Sequence, residues 1–334
     1  MPLIEVENLQ KTFSVAVRQP GRLGALKGLL SRQYRHVSAV DRVSFEIAAG
    51  EMVGYIGPNG AGKSTTIKML TGILVPSGGR ISVGGRVPHQ QRAEHVRQIG
   101  VVFGQRTQLW WDLPTVESFE LLRHIYRIPY PRWRANLDTF VDLLDLGPFL
   151  ETPVRQLSLG QRMRADLAAA LLHDPAILFL DEPTIGLDVV AKERIRQFLS
   201  DINRARGVTV ILTTHDLEDI TRLCHRVVLI DHGRVIYDGG LDELRARFGR
   251  QRTLVVDLGG EPMADLRLPH VEEVRREGPR VWLRFDRDAT TAAALIAEVA
   301  ARYRVRDLTV EEPPIEGIVR RIYETGQAGE LAAA

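Results

Sequence analysis

The sequence predicts an α/β fold built on a mainly parallel sheet covered on both faces, and three observations predict it. Apolar runs at 52–56, 99–103, 176–180, 208–213 and 226–230 have strand length, and helical periodicity at 160–173, 189–205 and 217–223 precedes or separates the later ones. The first run leads into a glycine-rich loop and then a helical stretch at 66–70. The third ends in two carboxylates, Asp181 and Glu182. That places acids at the carboxyl edge of a parallel sheet, where such sheets bind ligands.

Taken in order, residues 4–9 and 11–17 alternate as strands, and 43–47 resumes the pattern before a turn at 48–50. Between them, residues 18–36 carry Arg18, Arg22, Lys27, Arg32 and Arg35 and no acid. Leu23, Leu26, Leu30 and Tyr34 are spaced as a helical stripe there, which suits a basic amphipathic segment facing an anionic surface. Gly24 and Gly28 equally suit a solvated loop, and both readings stand.

The loop Gly57-Pro58-Asn59-Gly60-Ala61-Gly62-Lys63-Ser64-Thr65 fills every fixed position of G-x-x-x-x-G-K-[ST] between a strand and a helix. Its glycines let successive amides converge on β- and γ-phosphates at a helix N-terminus. Lys63 adds a cation, and Ser64 offers a hydroxyl to Mg²⁺. Further on, Gly78-Gly79 and Gly84-Gly85 bracket a short strand, and residues 115–126 and 133–144 turn helical, separated by Pro129 and Pro131. This predicts a helical subdomain inserted between sheet strands. Beyond Gly249, strands at 253–258, 281–285 and 305–310 and helices at 289–303 and 315–323 predict a small α+β appendage.

A chain of 334 residues with 44% hydrophobic residues supports one large core and a smaller one. No apolar run approaches the roughly 18 residues of a membrane span. The N-terminal residues lack an export signal, and a lone cysteine, Cys224, agrees with a reducing compartment, so the chain is expected to be cytosolic. The net charge of +2 argues for no nucleic-acid partner.

The segment Leu157-Ser158-Leu159-Gly160-Gln161 precedes a helix, then Asp181-Glu182-Pro183-Thr184 and Gly186-Leu187-Asp188. With these in order the chain resembles the ATP-binding-cassette (ABC) ATPases over residues 3–248: Walker A at 57–64, a Q-loop glutamine at Gln105, the signature at 157–161, Walker B at 177–181, the D-loop at Leu187-Asp188 and a switch histidine at His215. The resemblance implies a P-loop cassette with a mainly parallel sheet, an antiparallel β subdomain and a helical subdomain at 115–172. The cassette is expected over 1–249; residues 250–334, folded in pattern yet carrying no motif of a site, are expected to form an accessory α+β domain serving dimer contact or regulation.

It also implies ATP and Mg²⁺ as cofactors. Asp181, Ser64 and Gln105 would serve the metal; Glu182 would activate water, and His215 would touch the γ-phosphate. Phe13 is the best match for the aromatic that stacks on adenine, with a core phenylalanine as the lesser alternative. Leu157, Ser158, Gly160 and Gln161 would face the ATP of a second copy, and Asp188 would communicate across that dimer. Leu159 departs from the family's usual glycine. The stretch 101–117, with Trp110 and Trp111, resembles the region by which transporter cassettes grip a membrane subunit. In an extended segment adjacent side chains point to opposite sides, so one of the two rings is expected to be exposed. Together with Leu159 and the 18–36 insertion, these features most resemble the ATP-binding subunits of bacterial multidrug-type exporters. The expected protein is therefore an ATP-hydrolysing exporter subunit, a homodimer peripheral on the cytosolic face beneath separately encoded permeases. A soluble regulatory ABC ATPase is the alternative.

Overall fold

A computed structural model describes residues 2–16, 34–104, 106–259 and 268–325. Contacts divide the chain into two compact units that part between Asp238 and Gly239. The first holds a six-stranded sheet in the order β5-β6-β7-β3-β8-β9. These are Ile99–Phe103 (β5), Ile177–Asp181 (β6), Thr209–Thr213 (β7), Met52–Ile56 (β3), Arg226–Asp231 (β8) and Arg234–Gly240 (β9). Every residue of β3 and β7 is buried, so these central strands need cover on both faces. The pairs β5–β6, β6–β7, β7–β3 and β3–β8 are parallel, as the spacing of strands and helices predicts.

A second, antiparallel sheet has the order β2-β1-β4, from Tyr34–Ile47, Ile4–Ala16 and Gly78–Val83. The two strands expected at 4–9 and 11–17 are one long β1, with register irregularities between Val6 and Thr12. Tyr34, expected at the end of a helical stripe, instead pairs with Ala16 at the start of β2. Most of that basic segment, residues 17–33, lies outside the described residues. Alternate residues Val53 and Tyr55, Ile177 and Phe179, Ile211, Val228 and Ile230 share one core with β1, β2, β4 and the helix α1, Lys63–Leu70. A short helix, Arg92–His95 (α2), follows β4.

The helical subdomain contains Thr115–Tyr126 (α3), Tyr130–Leu144 (α4) and Leu159–Leu171 (α5). Phe119, Leu122, Trp133, Leu137, Phe140 and Leu144 recur at helical spacing and are buried, and the Trp133 indole donates to the Phe119 carbonyl at 3.2 Å. Before α3, Trp110 and Trp111 are 38% and 51% exposed, so both rings reach solvent. The expectation of one exposed ring assumed an extended segment. Here the chain turns instead, with the Leu113 amide bonded to the Trp110 carbonyl. The sheet is completed through Val189–Arg206 (α6) and Leu217–Leu223 (α7).

The second unit has an antiparallel sheet of order β11-β12-β10-β13: Val271–Glu277, Arg280–Asp286, Gln251–Leu258 and Val305–Glu311. Leu254, Val256, Val281, Leu283 and Phe285 form its core with Leu295 and Val299 of Ala292–Arg302 (α9). The Thr291 hydroxyl caps α9 by accepting the Ala294 amide. Leu241–Phe248 (α8) contacts Ile315–Thr325 (α10) and belongs to this unit, so the division falls before α8 and not after it.

Candidate functional site

The glycine loop is closed by its neighbours. A Cβ on Gly57 would stand 2.3 Å from the Ile230 carbonyl oxygen, and one on Gly62 would stand 2.5 Å from that of Ala39. Gly62 has φ 106°, a left-handed conformation, and caps α1. Only glycine meets both demands there. Ala61 is fastened at both its polar groups, its amide donating to Pro58 O and its carbonyl accepting from the Gly233 amide. Pro58, Asn59 and Gly60 are exposed, and Thr65 is half-buried on α1. The amides of a helix's first turn have no intrahelical acceptor, which leaves this end suited to an anion.

Lys63 lies folded over the loop and 7% exposed, its Nζ donating to Gly57 O at 2.7 Å and Pro58 O at 3.1 Å. Burial lowers the ammonium's pKa, with Glu182 and Asp181 opposing that shift. Opposite it, the parallel registers set Phe103, Asp181 and Thr213 abreast at the sheet edge. The Asp181 carboxylate accepts from Thr213 Oγ1 at 2.5 Å and from Ser64 Oγ at 3.4 Å.

Glu182 follows with φ 58°, uncommon for a residue bearing a side chain. Its amide donates to Thr213 O at 2.9 Å, and the Gly104 amide donates to Asp181 O at 2.8 Å. Glu182 Oε1 stands 3.0 Å from His215 Nε2. Burial raises the Glu182 pKa against the pull of His215 and Lys63. A cleft of about 360 Å³ is lined by Ser64, Lys68, Gly104, Arg106, Asp181 and Glu182, among others. Lys63, Ser64, Asp181, Glu182 and His215 are thus brought together from three loops at one sheet edge. Gln105 lies outside the described residues.

The signature residues form a second cluster. Ser158 caps α5 by accepting the Gln161 amide at 3.2 Å, while the Gln161 side chain accepts the Ser158 amide at 2.9 Å. Leu157 is buried. A Cβ on Gly186 (φ 71°) would stand 3.0 Å from Leu159 Cδ2, and one on Gly160 would stand 3.4 Å from Ala191 Cβ. Leu159 therefore packs against the turn before Asp188, whose carboxylate caps α6 by accepting the Ala191 amide at 2.8 Å.

Phe13 pairs with Val37 on β2, two residues before the Ala39 carbonyl that abuts Gly62. Its half-buried ring has the Lys11 ammonium 5.2 Å from its centre. Sequence reasoning did not single out Thr213, Arg106 or Gly104. The signal for Thr213 was its position at the last residue of the strand neighbouring Asp181; Arg106 and Gly104 flank Gln105.

These features define a nucleotide-hydrolysing cassette, and comparison with known proteins agrees. A family described as "ABC transporter" matches residues 40–185, and "ATP-binding protein DrrA1-3-like, C-terminal domain" matches residues 239–321. The Nod factor export ATP-binding protein I of Burkholderia pseudomallei (strain 1710b) is 35% identical over 85% of this chain and 93% of its own length. The daunorubicin resistance ATP-binding protein DrrA3 of Streptomyces coeruleorubidus is 38% identical over 67% of this chain and 71% of its own. A solved dimeric ATP-binding cassette in a post-hydrolysis state, bound to ADP and Pi, superposes with a TM-score of 0.59 at 27% identity, covering 71% of this chain and 98% of that one. The chain belongs to the ABC transporter ATP-binding proteins and is an ATPase of that family. Among the described residues, no helix is long and apolar enough to cross a membrane.

Proposed function

We propose that the chain hydrolyses ATP to drive an exporter, as a pair of cassettes held beneath separately encoded membrane permeases on the cytosolic face. One observation carries the ATPase chemistry: Lys63, Ser64, Asp181, Glu182 and His215 converge at a single sheet edge. On this reading the amides of residues 57–65 receive the β- and γ-phosphates. The Lys63 ammonium exchanges the Gly57 and Pro58 carbonyls for phosphate oxygens, which releases it from a buried position where its charge is disfavoured. Glu182 takes a proton from the attacking water, and the His215 imidazole, already on Glu182 Oε1, orients that exchange. Phe13 supplies the adenine platform.

The residues present fit Mg²⁺. Ser64 and Asp181 offer one hydroxyl and one carboxylate, hard oxygens that leave room for waters and phosphate oxygens, as this ion prefers. When bound it neutralises phosphate charge. Gln105 is assigned to the same region by its motif.

A second copy completes each site. Its Ser158 hydroxyl and Gly160 amide, at the N-terminus of α5, face the γ-phosphate. Its Asp188 caps the start of α6, two residues after Gly186, which meets Leu159. Export is supported by the relatives, which are a Nod factor export protein and a daunorubicin resistance protein. Extraction of the tagged chain in mild detergent tests this proposal. Multi-helix membrane proteins should co-purify and stimulate ATP hydrolysis; a chain that hydrolyses ATP yet recovers no such partner would instead be the soluble regulatory ATPase.

A further inference from the structure

The two side chains that the proposed mechanism uses on water, Glu182 and His215, sit on different loops, one after β6 and one after β7. Beneath both loops lies a carboxylate that the mechanism does not use. Asp219, in the first turn of α7, is 0% exposed. Its Oδ2 accepts from Thr184 Oγ1 at 2.5 Å and from Thr214 Oγ1 at 3.3 Å, and its Oδ1 accepts from Arg196 Nε at 2.6 Å. Thr184, Thr214 and Arg196 are themselves 3%, 2% and 5% exposed.

We propose that Asp219 is the positioning residue that holds Glu182 and His215 in register for hydrolysis. Thr184 is two residues beyond Glu182, and Thr214 immediately precedes His215. One carboxylate therefore tethers both loops at their base. Thr214 is itself fixed, since its hydroxyl accepts the Asp216 amide at 3.0 Å while donating to Asp219. Arg196 brings in a third element, because it stands on α6, the helix that Asp188 begins. The Lys192 ammonium, one turn earlier on that helix, holds Asp216 at 2.5 Å.

Such a tether has work to do. Glu182 keeps a left-handed φ of 58°, a conformation that persists in a non-glycine residue only where the surroundings impose it. A buried carboxylate satisfied by two hydroxyls and a guanidinium imposes it through directional bonds and not through packing alone. Asp219 is closed off from solvent, so it acts through the two residues it places.

This inference rests on the proposed roles of Glu182 and His215, and the experiment separates the two. ATPase activity, ATP affinity and thermal midpoint are measured for the full chain, Glu182→Gln, Thr184→Val, Thr184→Ser and Asp219→Glu. Thr184→Val keeps the side-chain shape but removes one hydroxyl from the carboxylate. It is expected to lower kcat about tenfold or more while leaving the KM for ATP within about twofold. Thr184→Ser restores the hydroxyl and the turnover. Asp219→Glu keeps the charge but moves it by one methylene, and is expected to show the same split of kcat from KM. The proposal is overturned by a Thr184→Val protein with the parent's kcat. It is equally overturned if kcat, ATP affinity and thermal midpoint fall together and serine does not rescue them. An inactive Glu182→Gln beside an unaffected Thr184→Val removes only the tether; an active Glu182→Gln removes the base assignment and the tether with it.

Discussion

The carbonyl oxygen of Glu182 occupies the space where Gly104 lacks a side chain: a Cβ on Gly104 would stand 2.1 Å from it. The Gly104 amide also donates to Asp181 O at 2.8 Å, so the end of β5 and the turn carrying the proposed base are fitted backbone to backbone. Gly104→Ala must push the Glu182 peptide away. We expect a loss of about 1–3 kcal/mol in stability, the usual range for forced overpacking. Turnover should fall further than ATP affinity does, because the phosphate loop is not touched. Denaturant unfolding together with ATP titration and kcat checks this; equal losses in binding and turnover would place the damage elsewhere.

Glu182→Gln should abolish steady-state hydrolysis while retaining ATP binding, since the amide keeps the shape but cannot take the proton. A loss of about 100-fold or more is expected for removal of a general base. In the parent, burial raises the carboxyl's pKa, so kcat should decline on acidification beginning at a higher pH than an exposed glutamate would give. Gel filtration with ATP checks the second consequence, a cassette dimer that stays closed.

Asp166 gives a pH effect on stability. It is 4% exposed on α5 and accepts from Thr107 Oγ1 at 2.9 Å and the Gln108 amide at 3.0 Å, pinning the loop after β5 to the helix that Ser158 caps. Burial raises its pKa to about 6, against those two bonds. A raised folded value means that the native state holds the proton more tightly. The contribution is then complete below the ordinary aspartate value of 3.8 and is lost as pH rises through about 6. The loss by pH 7.5 is on the order of 3 kcal/mol. Asp166→Asn cannot ionise, so its Tm relative to the parent should rise between pH 4.5 and 7.5. A difference independent of pH would show that burial does not hold the proton on.

Trp111 is 51% exposed, and its ring carries the Arg162 guanidinium at 5.7 Å. On the exporter reading this ring anchors a membrane partner, at about 2 kcal/mol. Trp111→Ala should leave hydrolysis by the isolated chain within about twofold and weaken recovery of the partner in detergent. Parallel loss of hydrolysis and thermal stability would make the ring a structural one.

Much of this was legible before the structure. A glycine-rich loop between strand and helix has few other uses, and the end of an apolar strand marked Asp181 and Glu182, while His215 was named only by the resemblance in motif order. The length of β2 was hidden because residues 34–38 are all exposed, so they carry none of the in-and-out alternation that marks a strand. The tryptophan pair misled because a single turn, set by one backbone bond, cancels the alternation of an extended chain. The bonds that Thr213, Thr184 and Asp219 make could not be read. Their partners are brought close by strand register and helix packing across tens of residues, and a hydroxyl or carboxylate in isolation carries no sign of that.

The strand order also governs when the site can exist during synthesis. β3, which leads into the phosphate loop, has only β7 and β8 as sheet neighbours, and β7 is made about 150 residues later. At typical elongation rates that is a wait of roughly 8–30 s. Throughout it, the five residues of β3, all buried in the finished protein, have no strand beside them. The nascent chain is thus most exposed to misassociation while its most recognisable motif is already complete, and ATP cannot rescue it then, because the carboxylates and the flanking Ile230 wall of the loop have yet to arrive.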